Sequence, residues 1–201
     1  FDKIPSLFKV YVRALTARKA KFRDTEIPRF DAHVRGVDLN PADVVEYAKV
    51  CGFTEIAHAL WTFPHVLAAP VHGQIISHPD FPLPALGLVH VRQSITVHRP
   101  LKVGECFDIH VFVDGHHEAK IGVEFELVTR FLQGDEVAWE GVTTILHRTQ
   151  SSGSKRRETV YGNEPGSQRS VVVKVPSDMG RQYAGVSGDY NPIHLFPVTA
   201  K

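Results

Sequence analysis

The chain is poor in cysteine, nearly balanced in charge and free of long apolar runs. Its two cysteines, Cys51 and Cys106, lie far apart and outside any CxxC pair, so neither a disulfide framework nor a zinc knuckle is expected. A formal net charge of +1 argues against nucleic acid as a partner, because such binding depends on many phosphate contacts. The longest apolar runs, such as residues 66–71, are much shorter than a membrane span and include Pro70. These absences predict a soluble protein of the cytoplasm with no membrane span.

Common signatures of catalytic and metal sites are missing as well. The sequence has no GxSxG elbow, no Gly-rich phosphate loop and no HExxH pair. Several histidines occur, but their spacing matches no zinc motif: His65, His72, His78, His90, His98, His116 and His117. We therefore expect no metal site and no cofactor.

The composition is that of an ordinary globular protein, with 43% hydrophobic and 22% charged residues. Residues 1–23 are basic and carry apolar side chains at roughly helical spacing. We interpret them as an amphipathic helix packed on its own domain, and a basic surface for an acidic carrier or a membrane is the alternative. The chain begins with Phe1 rather than methionine, which leaves room for preceding residues, including a removed targeting peptide.

Two helices are predicted in the first third of the chain. An extended segment over residues 27–38 leads to Asn40 and Pro41, which are typical of a helix cap and first helical position. Apolar spacing then predicts a helix that ends near Cys51. A second helix is predicted around residues 64–77, with Pro70 kinking or starting it.

Residues 87–148 favour β-structure. Four runs alternate in hydrophobicity or are rich in β-branched residues: 88–97, 105–113, 122–132 and 136–146. Turn signals separate them at Arg99-Pro100, Asp114-Gly115 and Gly134-Asp135. The pattern predicts an α+β fold in which an antiparallel sheet wraps one long helix.

A domain boundary is predicted within residues 150–169, which have the Ser, Gly, Lys and Arg content of a linker. Their basic triplet 155–157 is interpreted as solvated linker, and contact with coenzyme A phosphates or an acidic carrier protein is the alternative. After the linker, residues 171–175 favour a strand, Pro176 and Ser177 resemble a helix start, and the helix is expected to end near Ser187.

An internal repeat relates the two sides of this linker. The six residues from Tyr47 match the six from Tyr183, with four identities and the same strand-then-helix context. At the same spacing Phe53 stands opposite Asp189, whereas His58 stands opposite His194. Because phenylalanine cannot take a proton, we expect the first repeat to be catalytically inactive.

The segment 187–194 carries the clearest chemical signal. It predicts a helix ending at Gly188, then a turn with Asp189 and Asn191, then His194. Such a turn can place a carboxylate and an imidazole on one wall of a cleft, where they hold and activate a water. The spacing alone favours an alternative, in which Asp189 and Asn191 only stabilise the turn and His194 is a buried histidine.

The full string Ser-Gly-Asp-x-Asn-Pro-Ile-His resembles the hydratase 2 motif of the MaoC-like dehydratases, a family that includes the R-specific enoyl-CoA hydratases. Residues 63–67 and 87–92 are similar to the double hot dog subgroup. The resemblance implies a tandem hot dog fold with the second repeat truncated in this chain. Residues 1–149 would form a noncatalytic, acyl-binding hot dog, 150–169 a linker, and 170–201 the start of the catalytic hot dog.

The resemblance also implies an activity and its residues. Asp189 would orient and deprotonate a water, and His194 would share that water and take part in proton transfer. Supporting roles in the catalytic loop fall to Ser187, Gly188, Asn191 and Pro192. The substrate would be an acyl-CoA or acyl-carrier-protein thioester, with a homodimer or a second chain completing the C-terminal hot dog. The N–H group that binds the enolate oxygen is expected beyond residue 201.

One departure and two alternative functions accompany this expectation. Phe196 stands where many relatives carry an acid shortly after the histidine. A noncatalytic acyl-thioester-binding subunit and a hot dog thioesterase share the architecture, and fold alone does not separate them from a hydratase.

Overall fold

The computed structural model describes residues 4–6, 10, 13, 26–85, 87–149, 172–190 and 195. Within these residues, eight elements follow one another along the chain: β1 (Asp31–Asp38), α1 (Pro41–Cys51), α2 (Ile56–Ile76), β2 (Leu88–Val97), β3 (Cys106–Ala119), β4 (Gly122–Gln133), β5 (Glu136–Arg148) and α3 (Met179–Ser187). The predicted linker and the segment that holds Asn191, Pro192 and His194 lie outside the described residues.

The five described strands form one antiparallel sheet in the order β1-β3-β4-β5-β2. Along β3 and β4 apolar side chains on one face are fully buried, among them Ile109, Phe125 and Phe131. This face packs against α2, as the hydrogen bond from Trp139 Nε1 to the Trp61 carbonyl illustrates (2.9 Å). Burial of each large apolar side chain contributes about 1.5–3 kcal/mol, so this layer holds the unit together. The predicted α+β hot dog architecture is confirmed.

The local signals around α1 act as expected. The Asn40 side chain accepts a hydrogen bond from the Ala42 N–H group (2.8 Å), and Pro41 occupies the first helical position. The helix ends at Gly52, whose φ of 73° lies in the left-handed region that glycine adopts without strain.

The second helix begins earlier than predicted. It covers 21 residues from Ile56, and both Pro64 and Pro70 lie inside it. The prediction that Pro70 could start the helix is therefore wrong. Proline removes one helical hydrogen bond, but Leu60, Phe63 and other apolar side chains of α2 are buried against the sheet. Tertiary packing outweighs the local breaker.

The predicted turn at Asp114-Gly115 is also wrong. Strand β3 continues through these residues to Ala119, and its register with β4 shifts between Val113 and His116. Gly115 has a φ of 77°, so it takes up the extra residue of a β-bulge rather than reversing the chain. The reversal occurs instead after Ala119, between β3 and β4.

The segment after the linker departs from prediction at one point. Residues 172–176 form no strand, and Val172, Val173 and Val175 are 90%, 74% and 69% exposed. In the first repeat the corresponding strand β1 pairs with β3, and no described strand offers residues 172–176 such a partner. Helix α3 begins at Met179, slightly later than expected, and ends at Ser187 as predicted.

Little of the basic N-terminal segment lies within the described residues. Val10 is buried, and Arg13 donates a hydrogen bond to Gln74 of α2 (2.7 Å). These two contacts favour a segment packed on its own domain. Among the described helices, none combines the length and apolar character needed to cross a membrane.

Candidate functional site

The turn after α3 is held by a compact set of hydrogen bonds. The Ser187 hydroxyl donates to the Tyr183 carbonyl (2.8 Å) and accepts from the Asp189 N–H group (3.2 Å). Gly188 caps the helix with a φ of 70°, and its N–H group bonds the Ala184 carbonyl (2.9 Å). Ser187 and Gly188 thus determine where the backbone of Asp189 leaves the helix. Their predicted support of a catalytic loop stays a prediction.

Asp189 follows α3 and lies close to Tyr183 of that helix. Burial raises the pKa of the Tyr183 phenol, and the nearby Asp189 carboxylate raises it further. The phenol therefore stays protonated, so it remains a hydrogen-bond donor close to the carboxylate. The backbone of Asp189 is fixed through the Ser187 hydroxyl.

Two repeat-related tyrosines contact each other where α1 meets α3. The rings of Tyr47 and Tyr183 lie 6.3 Å apart between centroids, at an interplanar angle of 54°. Tyr47 is buried, and its hydroxyl group and that of Thr62 share a hydrogen bond of 2.9 Å. Burial raises the pKa of the Tyr47 phenol as well. The internal repeat identified both tyrosines, but it did not reveal that they form the contact between the repeats.

A cleft of about 460 Å³ opens between α1, α2 and α3. One wall is apolar and comes from α2, through Phe63, Val66, Leu67 and Pro70. The opposite side includes the carboxylates of Asp43 and Glu46 on α1, and α3 closes the cleft with residues 185–188. Gly188 is the last residue of α3's end to line the cleft, and Asp189 is the next residue along the chain. The cleft offers an apolar chain a place next to a carboxylate.

The first repeat lacks a carboxylate at the equivalent position. Phe53 is partly buried and packs against Tyr47, with 6.3 Å between ring centroids. His58 lies in the first turn of α2, where it contacts Trp61 and stands 4.0 Å from the Glu55 carboxylate. These positions agree with an inactive first repeat, which stays a prediction.

The structure brings together only part of the predicted site. Ser187, Gly188 and Asp189 stand on one turn at the cleft, whereas Asn191, Pro192 and His194 fall outside the described residues. The predicted pairing of Asp189 with His194 therefore stays a prediction.

A group of histidines between α2 and the sheet was missed by sequence reasoning. His72 is fully buried and shares a hydrogen bond with the Thr129 hydroxyl (2.7 Å). His65 lies between it and His90, with ring centroids 5.3 and 5.7 Å apart. Burial lowers the pKa of His65 to about 4 and that of His72 to about 3. Both imidazoles are neutral at neutral pH, and their seven-residue spacing on one helix face was the available signal.

Potential metal ligands converge elsewhere. Among the described residues, one grouping places His and carboxylate ligand atoms close together, and it consists of Asp31, His33 and His110 on strands β1 and β3. It does not line the cleft.

Comparison with known proteins gives a consistent result. No protein-family model matches the sequence. The curated 3-hydroxyacyl-thioester dehydratase X of Mycobacterium tuberculosis is 32% identical over 180 residues, which make up 89% of this chain and 64% of that protein. The chain thus spans less than two thirds of the length of this relative.

Solved structures extend the likeness to the fold. A crystal structure of HtdX from Mycobacterium tuberculosis is 31% identical, with 84% of this chain and 67% of that chain covered and a TM-score of 0.65. A MaoC-like dehydratase from Phytophthora capsici is 18% identical, with 86% and 66% covered and a TM-score of 0.52, and so shares the fold alone.

Proposed function

Because this chain belongs to the MaoC-like dehydratase family, we propose that it acts as an R-specific 3-hydroxyacyl-thioester dehydratase, or as a hydratase in the reverse direction. The substrate is a fatty acyl thioester of coenzyme A or of an acyl carrier protein. The observation that supports the proposal is the turn after α3, which holds the backbone of Asp189 one residue beyond the helix end that lines a cleft of about 460 Å³.

Hydration of a trans-2-enoyl thioester requires a water that loses a proton as it attacks C3, and a proton delivered to C2. Asp189 accepts the proton of the water, and His194 shares that water and supplies a proton to C2. Transfer of the proton from Asp189 to His194 then restores both groups. Dehydration runs through the same groups in the opposite direction. Rigid attachment of Asp189 through the Ser187 hydroxyl supports this role, because a catalytic base must be held close to its target proton.

The first repeat contributes the acyl site rather than the chemistry. Its helix α2 presents Phe63, Val66 and Leu67 to the cleft, and these side chains remove an acyl chain from water. Phe53 replaces the carboxylate at the position that matches Asp189, so this repeat supplies no base.

A further polypeptide segment completes the second hot dog, either from the same protein or from a second chain. The exposed valines Val172, Val173 and Val175 support this, because β-branched residues of a strand are normally covered by a sheet neighbour. The N–H group that stabilises the enolate oxygen comes from the central helix of that second repeat.

The experiment that tests the proposal follows the loss of trans-2-enoyl-CoA absorbance with the natural full-length protein. Asp189→Asn and His194→Ala are each expected to lower kcat by about a hundredfold or more, since each removes a proton-transfer group. Asp135→Asn, in the exposed turn between β4 and β5, is the matched control and is expected to retain full activity.

Two other outcomes would replace the proposal. Tight acyl-CoA binding with no absorbance change in the wild type would identify a noncatalytic acyl-binding subunit. Release of free coenzyme A thiol, followed with a thiol reagent, would identify a thioesterase.

A further inference from the structure

Three potential metal ligands lie together on the outer face of the sheet. Asp31 and His33 are alternate residues of β1, both exposed, while their neighbours Ala32 and Val34 are buried on the inner side. His110 of β3 stands directly opposite His33 in the antiparallel register. Side chains opposite each other across two strands are the closest neighbours in a sheet. The three side chains therefore share one surface, on the opposite side of the sheet from α2.

The geometry of the three side chains is already convergent. The imidazole rings of His33 and His110 stack with centroids 4.0 Å apart and an interplanar angle of 10°. His110 Nε2 lies 2.7 Å from Asp31 Oδ1. One ligand atom from each of the three residues lies within 4.8 Å of the others.

We propose that Asp31, His33 and His110 bind a divalent transition metal ion of the Zn²⁺, Ni²⁺ or Cu²⁺ type. Imidazole nitrogen with one carboxylate oxygen suits these ions, whereas Mg²⁺ and Ca²⁺ prefer oxygen ligands alone. Ligands about 2.1 Å from a tetrahedral Zn²⁺ ion stand roughly 3.4 Å apart, so modest side-chain rotation suffices to close the site. Water fills the remaining position, because Asp31 is 39% exposed on its side chain.

Arg29 provides an internal test of the site. Its Nε atom lies 3.0 Å from Asp31 Oδ2, so it holds the carboxylate oxygen that does not face His110. The guanidinium orients the carboxylate and at the same time repels a cation. We expect its positive charge to weaken metal binding without preventing it.

The alternative is that the three residues only tie β1 to β3 through the His110–Asp31 hydrogen bond. The two accounts differ in what zinc does. A purely structural contact responds to no metal, and a metal site contributes stability that depends on the Zn²⁺ concentration.

Titration calorimetry of the full chain with Zn²⁺ alone distinguishes these accounts, with the visible absorbance of bound Co²⁺ as a second readout. His33→Gln and His110→Gln are each expected to weaken the site by at least about tenfold. The matched control is His117→Gln, an exposed histidine of β3 that also faces a carboxylate, Glu124, at 3.4 Å. It is expected to leave the affinity unchanged.

Arg29→Gln is expected to tighten zinc binding, because it removes the positive charge beside Asp31. The proposal is overturned if the wild type and His33→Gln bind the same number of Zn²⁺ ions with the same affinity. It is also overturned if His117→Gln weakens binding as much as His33→Gln does. Circular dichroism of every variant verifies that the sheet is intact.

Discussion

Helices α1 and α3 end at glycines of the same conformation, and the residues that follow these glycines differ. Both helices end at a glycine in the left-handed region, Gly52 with a φ of 73° and Gly188 with a φ of 70°. After Gly52 the chain places Phe53 against the core, and after Gly188, which lines the cleft, it continues with Asp189. A repeated helix end can therefore serve packing in one copy and proposed chemistry in the other, with the change confined to a few side chains.

The residue before the glycine also differs between the two turns. The Ser187 hydroxyl accepts a hydrogen bond from the Asp189 N–H group, whereas Cys51 occupies the same place in the first repeat. A thiol is a weak acceptor, so the first turn relies on backbone bonds, such as the one from the Phe53 N–H group to the Ala48 carbonyl (2.9 Å). The second turn gains a side-chain bond at the residue that we propose as the base.

The largest expected effect is a loss of stability of the first repeat at acid pH. His65 and His72 of the first repeat have pKa values lowered by burial to about 4 and about 3, from 6.5. The unfolded state therefore binds more protons below pH 6.5, so their contribution to stability is complete above that pH and is lost as the pH falls toward 3. We expect the free energy of unfolding to drop by several kcal/mol over this window. Fluorescence of Trp61 and Trp139 reports it, because both tryptophans belong to the first repeat.

A double variant, His72→Leu with Thr129→Val, removes both partners of the buried hydrogen bond and is expected to flatten the acid dependence. His98→Gln changes an exposed histidine and serves as the control. Equal acid sensitivity in the double variant and the wild type would mean that other groups unfold this repeat.

The local elements of this fold were predictable, and the features set by packing were not. Strand β2 begins and ends where its alternation predicts, and α1 follows its cap and proline. The start of α2 and the bulge at Gly115 were not predicted, because apolar burial and sheet pairing override a proline and an Asp-Gly signal.

The features around the candidate site were likewise predictable only where they are local. The fixed spacing of residues 187–189 predicted the turn, since the hydrogen bonds of the Ser187 hydroxyl are local. The Tyr47–Tyr183 contact and the pair of Asp31 with His110, which lie 79 positions apart, arise only when distant segments meet. No local pattern carries that information.

The next largest expected effect is the difference in stability loss between variants of Phe53 and of Asp189. Phe53→Ala removes a partly buried ring and is expected to lower the free energy of unfolding by about 2 kcal/mol, less than for a fully buried phenylalanine. Asp189→Ala is expected to cost less than about 1 kcal/mol, since it removes no core contact. Urea unfolding of both variants measures the difference. A large loss of stability in Asp189→Ala would assign this residue a structural role and would weaken its proposed role as the base.

The smallest expected effect on stability comes from changing the two glycines. An alanine in the left-handed region costs about 1 kcal/mol, and a methyl group on Gly52 would meet nothing within 4 Å, so the cost there is purely conformational. Gly52→Ala and Gly188→Ala are thus expected to lose similar stability. Their effects on kcat should differ, because Gly188→Ala shifts Asp189, and a displacement of about 1 Å can cost about a hundredfold in rate. Equal kcat values for the two variants would mean that the second turn is no more functional than the first.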